Sequence, residues 1–402
     1  MLIDEAKKCL QCKNARCMEK CPVNTSIPEI ISLYKEGKIL EAGEILFNNN
    51  PLSVVCSLVC NHDEQCKGNC IKGIKSEPVR FHDIEYAISK KYMEDIRFTN
   101  VEKDKGNIAI IGGGPAGITI AFILAKKGYD VTIFDAQSRI GGVLRYGIPE
   151  YRLPKKIIDN IESRLLELGV NIRPNTLIGP VITLDRLFED NYKAVFIGTG
   201  AWNPKSLNIK GETLGNVHYA IDYLKSPEVY SLGSKVCIIG AGNVAMDAAR
   251  TAKRDGAAEV TIVYRHGFET MSASNDEIEG AKNDRVNFKL HSSPVEIRKD
   301  GLLVKINNPN DDCDEKEEFI DCDSVIIAIS QSPKANIVSN TSKLNTDIRG
   351  LLITDEKGNT TKKGTFASGD VVTGAKTVVE AVAKAKIVAD TIDEYCKSCK
   401  NY

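Results

Sequence analysis

The stretch NIAIIGGGPAGITIAFILAKKGYDVTIFD, residues 107–135, decides the fold of this chain. It starts as an apolar run, turns at glycine, continues with a helical pattern and closes on a second apolar run that ends in an acid. Gly112, Gly114 and Gly117 spell G-x-G-x-x-G, and Pro115 and Ala116 open the helix. In such a turn the first glycine bends the chain and the second lets a pyrophosphate reach the backbone at the helix N-terminus. The third lets helix pack on strand. Asp135 ends the second strand eighteen residues beyond Gly117, where an acid can bind a ribose diol. Strand, turn, helix and acid occur together here, so residues 107–135 are expected to bind a dinucleotide.

A second copy follows as KVCIIGAGNVAMDAARTAKRDGAAEVTIVYR, residues 235–265. Gly240, Gly242 and Ala245 give G-x-G-x-x-A, with Ala241, Asn243 and Val244 in the same turn. This strand ends in Tyr264, Arg265 and His266, with no acid. An arginine at that place suits a 2′-phosphate and favours NADPH over NADH. The plainer reading of Arg265 is a surface charge at a strand end.

Two nucleotide sites in one chain suggest a flavin and a nicotinamide, and the tail agrees. GTFASGDVV, residues 364–372, reads as a strand ending in Gly369 and Asp370, followed by a helix that starts near Thr377 and Val378. An acid at a strand end and a helix N-terminus can hold the ribityl–phosphate arm and isoalloxazine edge of FAD. VFIGTG (195–200) and VIIAIS (325–330) read as buried strands ending at cofactors. The expected order is a first FAD part (106–228), an inserted NAD(P)H domain (229–330) and a second FAD part (331–402).

Residues 1–105 are of another kind. Of thirteen cysteines, eight fall before residue 71, and none lies between 71 and 236. Cys9, Cys12, Cys17 and Cys21 form one set, closed by Pro22; Cys56, Cys60, Cys66 and Cys70 form the other. A zinc module pairs two short knuckles around one ion. No His-x3-5-His completes such a site, and eight thiols exceed one zinc, although two zinc sites are an alternative. The first set is similar to the bacterial ferredoxin run with one spacer lengthened, in which the cysteine before proline serves a second cluster. Between the sets, Ser26 and Glu29 read as a capping box with Pro28 in the first turn. Ile30, Ile31, Leu33 and Tyr34, then Ile39, Leu40, Ile45 and Leu46, read as helical core stripes. This small helical module is expected to depend on its clusters for folding.

The totals agree with a globular α/β protein. The 402 residues include 53 basic and 54 acidic side chains, which gives no reason to expect nucleic acid or an anionic membrane as a partner. The first residues, MLIDEAKKCL, do not read as a signal peptide, and no apolar run approaches a membrane span. A cytoplasmic protein is expected, in which clustered cysteines are metal ligands rather than bridges.

GGGPAG, RIGGVLRYGIPEYRLP, GAGNVAMD, YRHG and FASGDVVTGAKTVVEAV together resemble the small subunit of bacterial glutamate synthase. They also resemble the N-terminal half of dihydropyrimidine dehydrogenase and the large subunit of the ferredoxin–NADP transhydrogenase. The resemblance covers nearly the whole chain. The compact length, ASNDEIEGA and the Cys-bearing C-terminus look most like the separate small subunit of bacterial dihydropyrimidine dehydrogenase. It implies tandem Rossmann-like FAD and NAD(P) domains of the glutathione-reductase type behind an α-helical double iron–sulfur domain. It implies that Cys9, Cys12, Cys17 and Cys70 hold one [4Fe–4S] cluster. Cys21, Cys60, Cys66 and Glu85, in FHDIEYAI, would hold the other. Cys56 falls on a position that is not a ligand in relatives. Flavin contacts map to Gly142 and Arg152, and nicotinamide contacts to Ala241, Gly242, Asn243, Arg265 and His266. His266 is a departure, because NADPH-specific relatives often carry a second cation there.

Cys237 reads as a core thiol, and Cys313 and Cys322 as incidental. Cys396 and Cys399 form C-x-x-C, for which a frayed tail with two exposed thiols is the simpler reading than a redox pair. His62, His82, His218 and His291 have no motif around them, and Trp202 reads as packing.

The expected role is that of an electron-input subunit. It would oxidise NAD(P)H through FAD and pass electrons through two [4Fe–4S] clusters to a catalytic subunit that contains FMN or iron–sulfur. No catalytic side chain is expected, since hydride transfer needs positioning. The alternative is a stand-alone NAD(P)H:ferredoxin oxidoreductase or a transhydrogenase subunit. A thioredoxin-reductase type would need C-x-x-C between 229 and 330, where there is none. A redox-sensing or assembly scaffold is the non-enzymatic reading.

Overall fold

A computed structural model describes residues 2–99, 101–307 and 316–398. The N-terminal module is helical: α1 (Leu2–Lys7), α2 (Ile27–Lys35), α3 (Ile39–Asn49), α4 (Ser53–Val59) and α5 (Phe81–Asp95). Its core joins Ile27, Ile30, Ile31, Leu46, Ile84 and Ile88. Pro28 stands in the first turn of α2 as expected, but the Ser26 side chain makes no capping bond. Leu40 is also turned outward and is 52% exposed.

The chain then forms β1 (Asn107–Ile111), α6 (Pro115–Lys126), β2 (Asp130–Phe134), α7 (Lys155–Glu167), β3 (Asn171–Arg173) and β4 (Tyr192–Ile197). After these come β5 (Val217–Tyr219), β6 (Lys235–Ile239), α8 (Asn243–Arg254), β7 (Glu259–Val263), α9 (Asn275–Asn283) and β8 (Asn287–Lys289). A three-stranded antiparallel meander follows as β9 (Ser292–Arg298), β10 (Gly301–Ile306) and β11 (Glu317–Asp321). The chain ends with β12 (Ser324–Ile327), β13 (Thr365–Ala367) and α10 (Val378–Ser398).

Two five-stranded parallel sheets result. One has the order β13-β4-β1-β2-β3 and the other β5-β12-β6-β7-β8. The central strands of both are apolar and buried, as parallel strands covered on both faces must be. The strand order reverses beside β1 in one sheet and beside β6 in the other, and in such folds the crevice at the carboxyl ends of the strands takes the ligand.

The chain divides into two compact units. One holds residues 1–144, 150–201 and 332–402; the other holds 145–149 and 202–331. The main stretch of the second compact unit begins at Trp202, ahead of the NAD(P)H domain expected from 229. The physical reason is β5, which pairs with β12 as the edge of the second sheet and draws the preceding segment with it. In the second unit Arg250 of α8 pins α9 through Glu277 (2.7 Å) and Asp284 (2.9 Å).

Within the first unit α6 is the hub. Nine of its twelve residues are buried. Phe47 of the helical module meets Phe122 edge-on, with centroids 5.2 Å apart. Lys126 donates to Asn48 (2.6 Å), and Lys386 of α10 donates to Asn49 (2.6 Å). Just beyond α6, the Tyr129 hydroxyl donates to Asp393 of α10 (2.9 Å), which Lys127 and Lys397 also approach at 3.2 and 2.9 Å.

Burial alone would raise the pKa of Asp393, but the bonds from Lys397, Tyr129 and Lys127 outweigh it and hold the carboxyl at about 2. A depressed carboxyl stabilises the fold above its unfolded pKa, near 4, and that contribution is lost as pH falls through the folded value. Asp393→Asn is therefore expected to cost about 2 kcal/mol at pH 7. In urea melts the gap from wild type closes only as pH drops from about 4 toward 2. An unchanged melt at pH 7 would refute this account of how α10 is held.

Candidate functional site

In the first unit the glycine-rich turn joins β1 to α6. Gly112 has φ +98°, and a Cβ there would lie 2.5 Å from the carbonyl oxygen of Gly198 in the loop after β4. A Cβ on Gly117 would lie 2.0 Å from the Gly112 oxygen, so only glycine lets α6 start this close to β1. Gly114 caps α6 and Pro115 is its first residue. Above Gly114 a Cβ would meet nothing nearer than the Cα of Gly142, at 3.9 Å. Gly141 donates to the Gly113 oxygen (2.7 Å), which seats Gly142 beside Gly114. The first N–H groups of α6, at Ala116 and Gly117, lack helical acceptors and face this opening as an anion cradle.

Asp135 is 6% exposed. One of its oxygens accepts from the Gly113 N–H (2.7 Å) and the other from the Gln137 N–H (2.8 Å). Burial raises its pKa against these two bonds. The acid expected to bind a ribose also braces the turn itself, and each oxygen keeps a lone pair for a further donor. Arg152 is half-buried.

The tail completes this site. Gly369, with φ +78°, lies so near α6 that a Cβ there would be 3.4 Å from that of Ala116. Ser368 just before it is buried, with no partner for its hydroxyl. Burial lifts Asp370 to about 6 despite a bond from the Lys376 N–H (3.2 Å). Thr377 and Glu380 cap α10 reciprocally: Glu380 accepts from the Thr377 N–H (3.0 Å), and its own N–H donates to the Thr377 hydroxyl (3.3 Å). Val378 is the first residue of α10. An open cradle of glycines, an orphaned buried hydroxyl and a helix N-terminus fit a flavin dinucleotide.

In the second unit Gly240 (φ +134°) would place a Cβ 2.3 Å from the Ala328 oxygen, and Gly242 caps α8. Ala245 is fully buried, and Val244 packs on the same core. The Ala241 oxygen accepts from the Ala273 N–H (3.1 Å), and the Asn243 side chain accepts from the Ser274 N–H (3.0 Å). Arg265 and His266 are exposed after the carboxyl end of β7, beside the turn that follows β6. The Arg265 side chain makes no ion pair among the described residues and is available to an anion.

The helical module holds two thiol-lined cavities. Cys9, Cys12, Cys17 and Cys70 line the first, with Cys66 at its back and Ile27, Ile31, Val79 and Phe81 among its walls. Cys21, Cys56, Cys60, Cys66 and Glu85 line the second, with His62, Gln65 and Val379 of α10. Burial and neighbouring thiols push Cys17 up to about 11 and raise Cys9 and Cys66 as well. Glu85, 8% exposed, is raised well above the carboxylate range by burial and by Cys56. Such groups stay protonated unless a cation replaces the protons. Among the described residues no three His, Cys or acidic side chains converge on one point as a single ion requires. Thiols spread around a void instead suit a cubane, whose four irons each take one ligand. Cys9, Cys12, Cys17 and Cys70 line only the first cavity, Cys21, Cys56, Cys60 and Glu85 only the second, and Cys66 lines both.

Three contacts here have no signature in the sequence. Cys56 and Cys60, four apart around the end of α4, share a face, and their side chains touch. His62 stacks on His82 (centroids 4.2 Å apart) and brings Nδ1 to 3.8 Å from Cys66 Sγ. Val379 is brought in by tertiary packing alone. Cys322 is buried against Cys237 in the core of the second unit. Cys396 is 1% exposed inside α10, not on a frayed tail. Cys313 and Cys399 lie outside the described residues.

Residues 106–385 match the pyridine nucleotide-disulphide oxidoreductase family model, with a second match over 73–188. Residues 1–96 match dihydropyrimidine dehydrogenase domain II, 4Fe-4S cluster. The chain is 33% identical to the glutamate synthase [NADPH] small chain of Halomonas elongata, over 97% of this chain and 90% of that one. It is 33% identical to the NADP(+)-dependent formate dehydrogenase subunit beta of Moorella thermoacetica, over 95% of this chain and 60% of that one. In fold it is similar to thioredoxin reductase of T. acidophilum, with a TM-score of 0.59 and 21% identity over 74% of this chain and all of that one. Among the described residues no helix is long and apolar enough to cross a membrane. The chain belongs to the glutamate synthase small-chain family of pyridine nucleotide-disulphide oxidoreductases, as an NAD(P)H-dependent FAD enzyme with an N-terminal [4Fe–4S] domain.

Proposed function

We propose that this chain is the electron-input subunit of a two-subunit oxidoreductase. It takes a hydride from NADPH and sends electrons singly through two [4Fe–4S] clusters to a catalytic partner of the dihydropyrimidine dehydrogenase or glutamate synthase type. FAD, when bound, supplies a two-electron acceptor that can be emptied one electron at a time. One observation carries the reading: Val379, next to the first residue of α10, lines the second thiol cavity, and Cys66 lines both cavities. The flavin-side helix, the second cavity and the first are therefore adjacent in series. In this reading Cys9, Cys12, Cys17 and Cys70 hold the outer cluster, and Cys21, Cys60, Cys66 and Glu85 the inner one. Ala116, Gly117 and the N-terminus of α10 hold the flavin's pyrophosphate and ring edge. Gly242, Asn243 and Arg265 hold the nicotinamide dinucleotide. No side chain need act as acid or base, so the residues orient and insulate.

The rim of the first cavity points to the partner's chemistry. Leu10 of its lining is 60% exposed and Ile74, close by in sequence to Lys72, is 67% exposed; Arg16 and Lys72 of the lining, like Lys13, Lys35 and Lys75 in the adjoining sequence, make no ion pair among the described residues. Arg16 and Lys72 line the cavity mouth itself. A basic collar with apolar anchors on a chain of net charge −1 suits an acidic redox partner.

Chain prepared anaerobically is expected to carry FAD and about eight iron and eight labile sulfide. Close to zero iron after reconstitution, with full-speed transfer to its acceptor, would refute the relay. Full activity toward ferredoxin with no co-purifying subunit would favour the stand-alone oxidoreductase instead. Arg265→Ala is expected to raise KM for NADPH about tenfold or more while leaving KM for NADH nearly unchanged. Equal changes would remove Arg265 from the phosphate site. Electron transfer to the partner should slow as salt rises, and Lys72→Glu should slow it about tenfold at low salt with NADPH-driven flavin reduction unaffected. A salt-independent rate would discard the acidic-partner assignment.

A further inference from the structure

The second cavity offers five donors to a cluster that takes four. Besides Cys21, Cys60, Cys66 and Glu85, its wall includes Cys56. Cys56 is 3% exposed and fixed on α4 between the fully buried Leu52 and Val55 and the buried Ser57. The Cys60 N–H donates to the Cys56 carbonyl (3.0 Å), and the two free thiols share a hydrogen bond. Cys56 also acts directly on Glu85, so both donors reach the same part of the cavity. Its thiol therefore lines the same cavity as Cys60 and Glu85 and interacts with both. Iron in a sulfide cluster prefers soft thiolate to hard carboxylate. A protein that needed Cys56 only for packing would have no cause to aim it into a cavity of ligands.

We propose that Cys56 is a reserve ligand of the inner cluster, placed to take the fourth iron when Glu85 lets go. This rests on the reading that the second cavity holds a [4Fe–4S] cluster. In the exchange the Fe–O bond to Glu85 breaks and an Fe–S bond to Cys56 forms. The Cys56 proton passes to the released carboxylate, and no electron is gained or lost. The arrangement protects the cluster at its weakest ligand, because a carboxylate is the donor that iron–sulfur chemistry holds least firmly.

The test uses full-length chain, purified anaerobically, and reads iron, labile sulfide and redox-titrated EPR. Glu85→Ala should keep about eight iron per chain, with one cluster's EPR spectrum and potential changed and the other's intact. Cys56→Ser should keep about eight iron with both signals as in wild type. The double variant should fall to about four iron, with the outer cluster's signal and the FAD content preserved as the check on folding. Loss of four iron in Glu85→Ala alone, or retention of eight in the double variant, overturns the proposal. Loss of four in Cys56→Ser alone also overturns it, by making Cys56 the standing ligand. A wild-type chain without iron would instead sink the relay on which it rests, so the two failures are distinct.

Discussion

Helix α6 can begin against β1 only because position 117 has no side chain, since a Cβ there would stand 2.0 Å from the Gly112 oxygen. That close approach governs the rest of the first unit. It aims the free N–H groups of α6 at the crevice beyond the strands. It sets Gly369 of the returning tail against Ala116. It also brings Phe122 to where Phe47 of the helical module meets it edge-on. The dinucleotide cradle, the closing C-terminal segment and the cysteine module are thus all positioned from one buried helix. A displacement of α6 by the width of a methyl group would disturb all three, because packed interiors do not absorb such shifts.

The helical module has a different problem. It gathers eight thiols and Glu85 in a small core, where burial opposes the ionisation of Cys9, Cys17, Cys66 and Glu85. Metal binding resolves this, since iron takes the place of the protons and ties together helices that are short by themselves. In the proposed relay the same clusters that order the module provide its conduction path, with Cys66 lining both cavities. Stability and electron transfer draw on one set of ligands, so a spare thiol beside the weakest of them has value for both.

Charge is distributed in keeping with this division. The nearly neutral chain leaves a group of unpaired cations around the outer cavity. Its buried carboxylates are used for fixed tasks, Asp135 bracing a turn and Asp393 tying α10 to the end of α6. Arg265 stands exposed at a strand end and makes no ion pair among the described residues.

Local pattern determined much of this in advance. The G-x-G-x-x-G and G-x-G-x-x-A turns, the apolar strands around them and the reappearance of a Gly-Asp strand end near the C-terminus fix two parallel sheets. Each signal spans fewer than about thirty residues, with a period that the backbone itself imposes. The two cysteine runs likewise announced a metal module. Contacts across long stretches of chain were not legible from pattern. Cys70 facing Cys9, Glu85 facing Cys60, Val379 closing the inner cavity and Cys396 buried against the end of α6 all depend on how whole helices pack. So does the strand at 217–219, too short to read, which pairs within the second unit. Which side chain occupies a shared void is settled by packing among distant elements, and no local spacing encodes it.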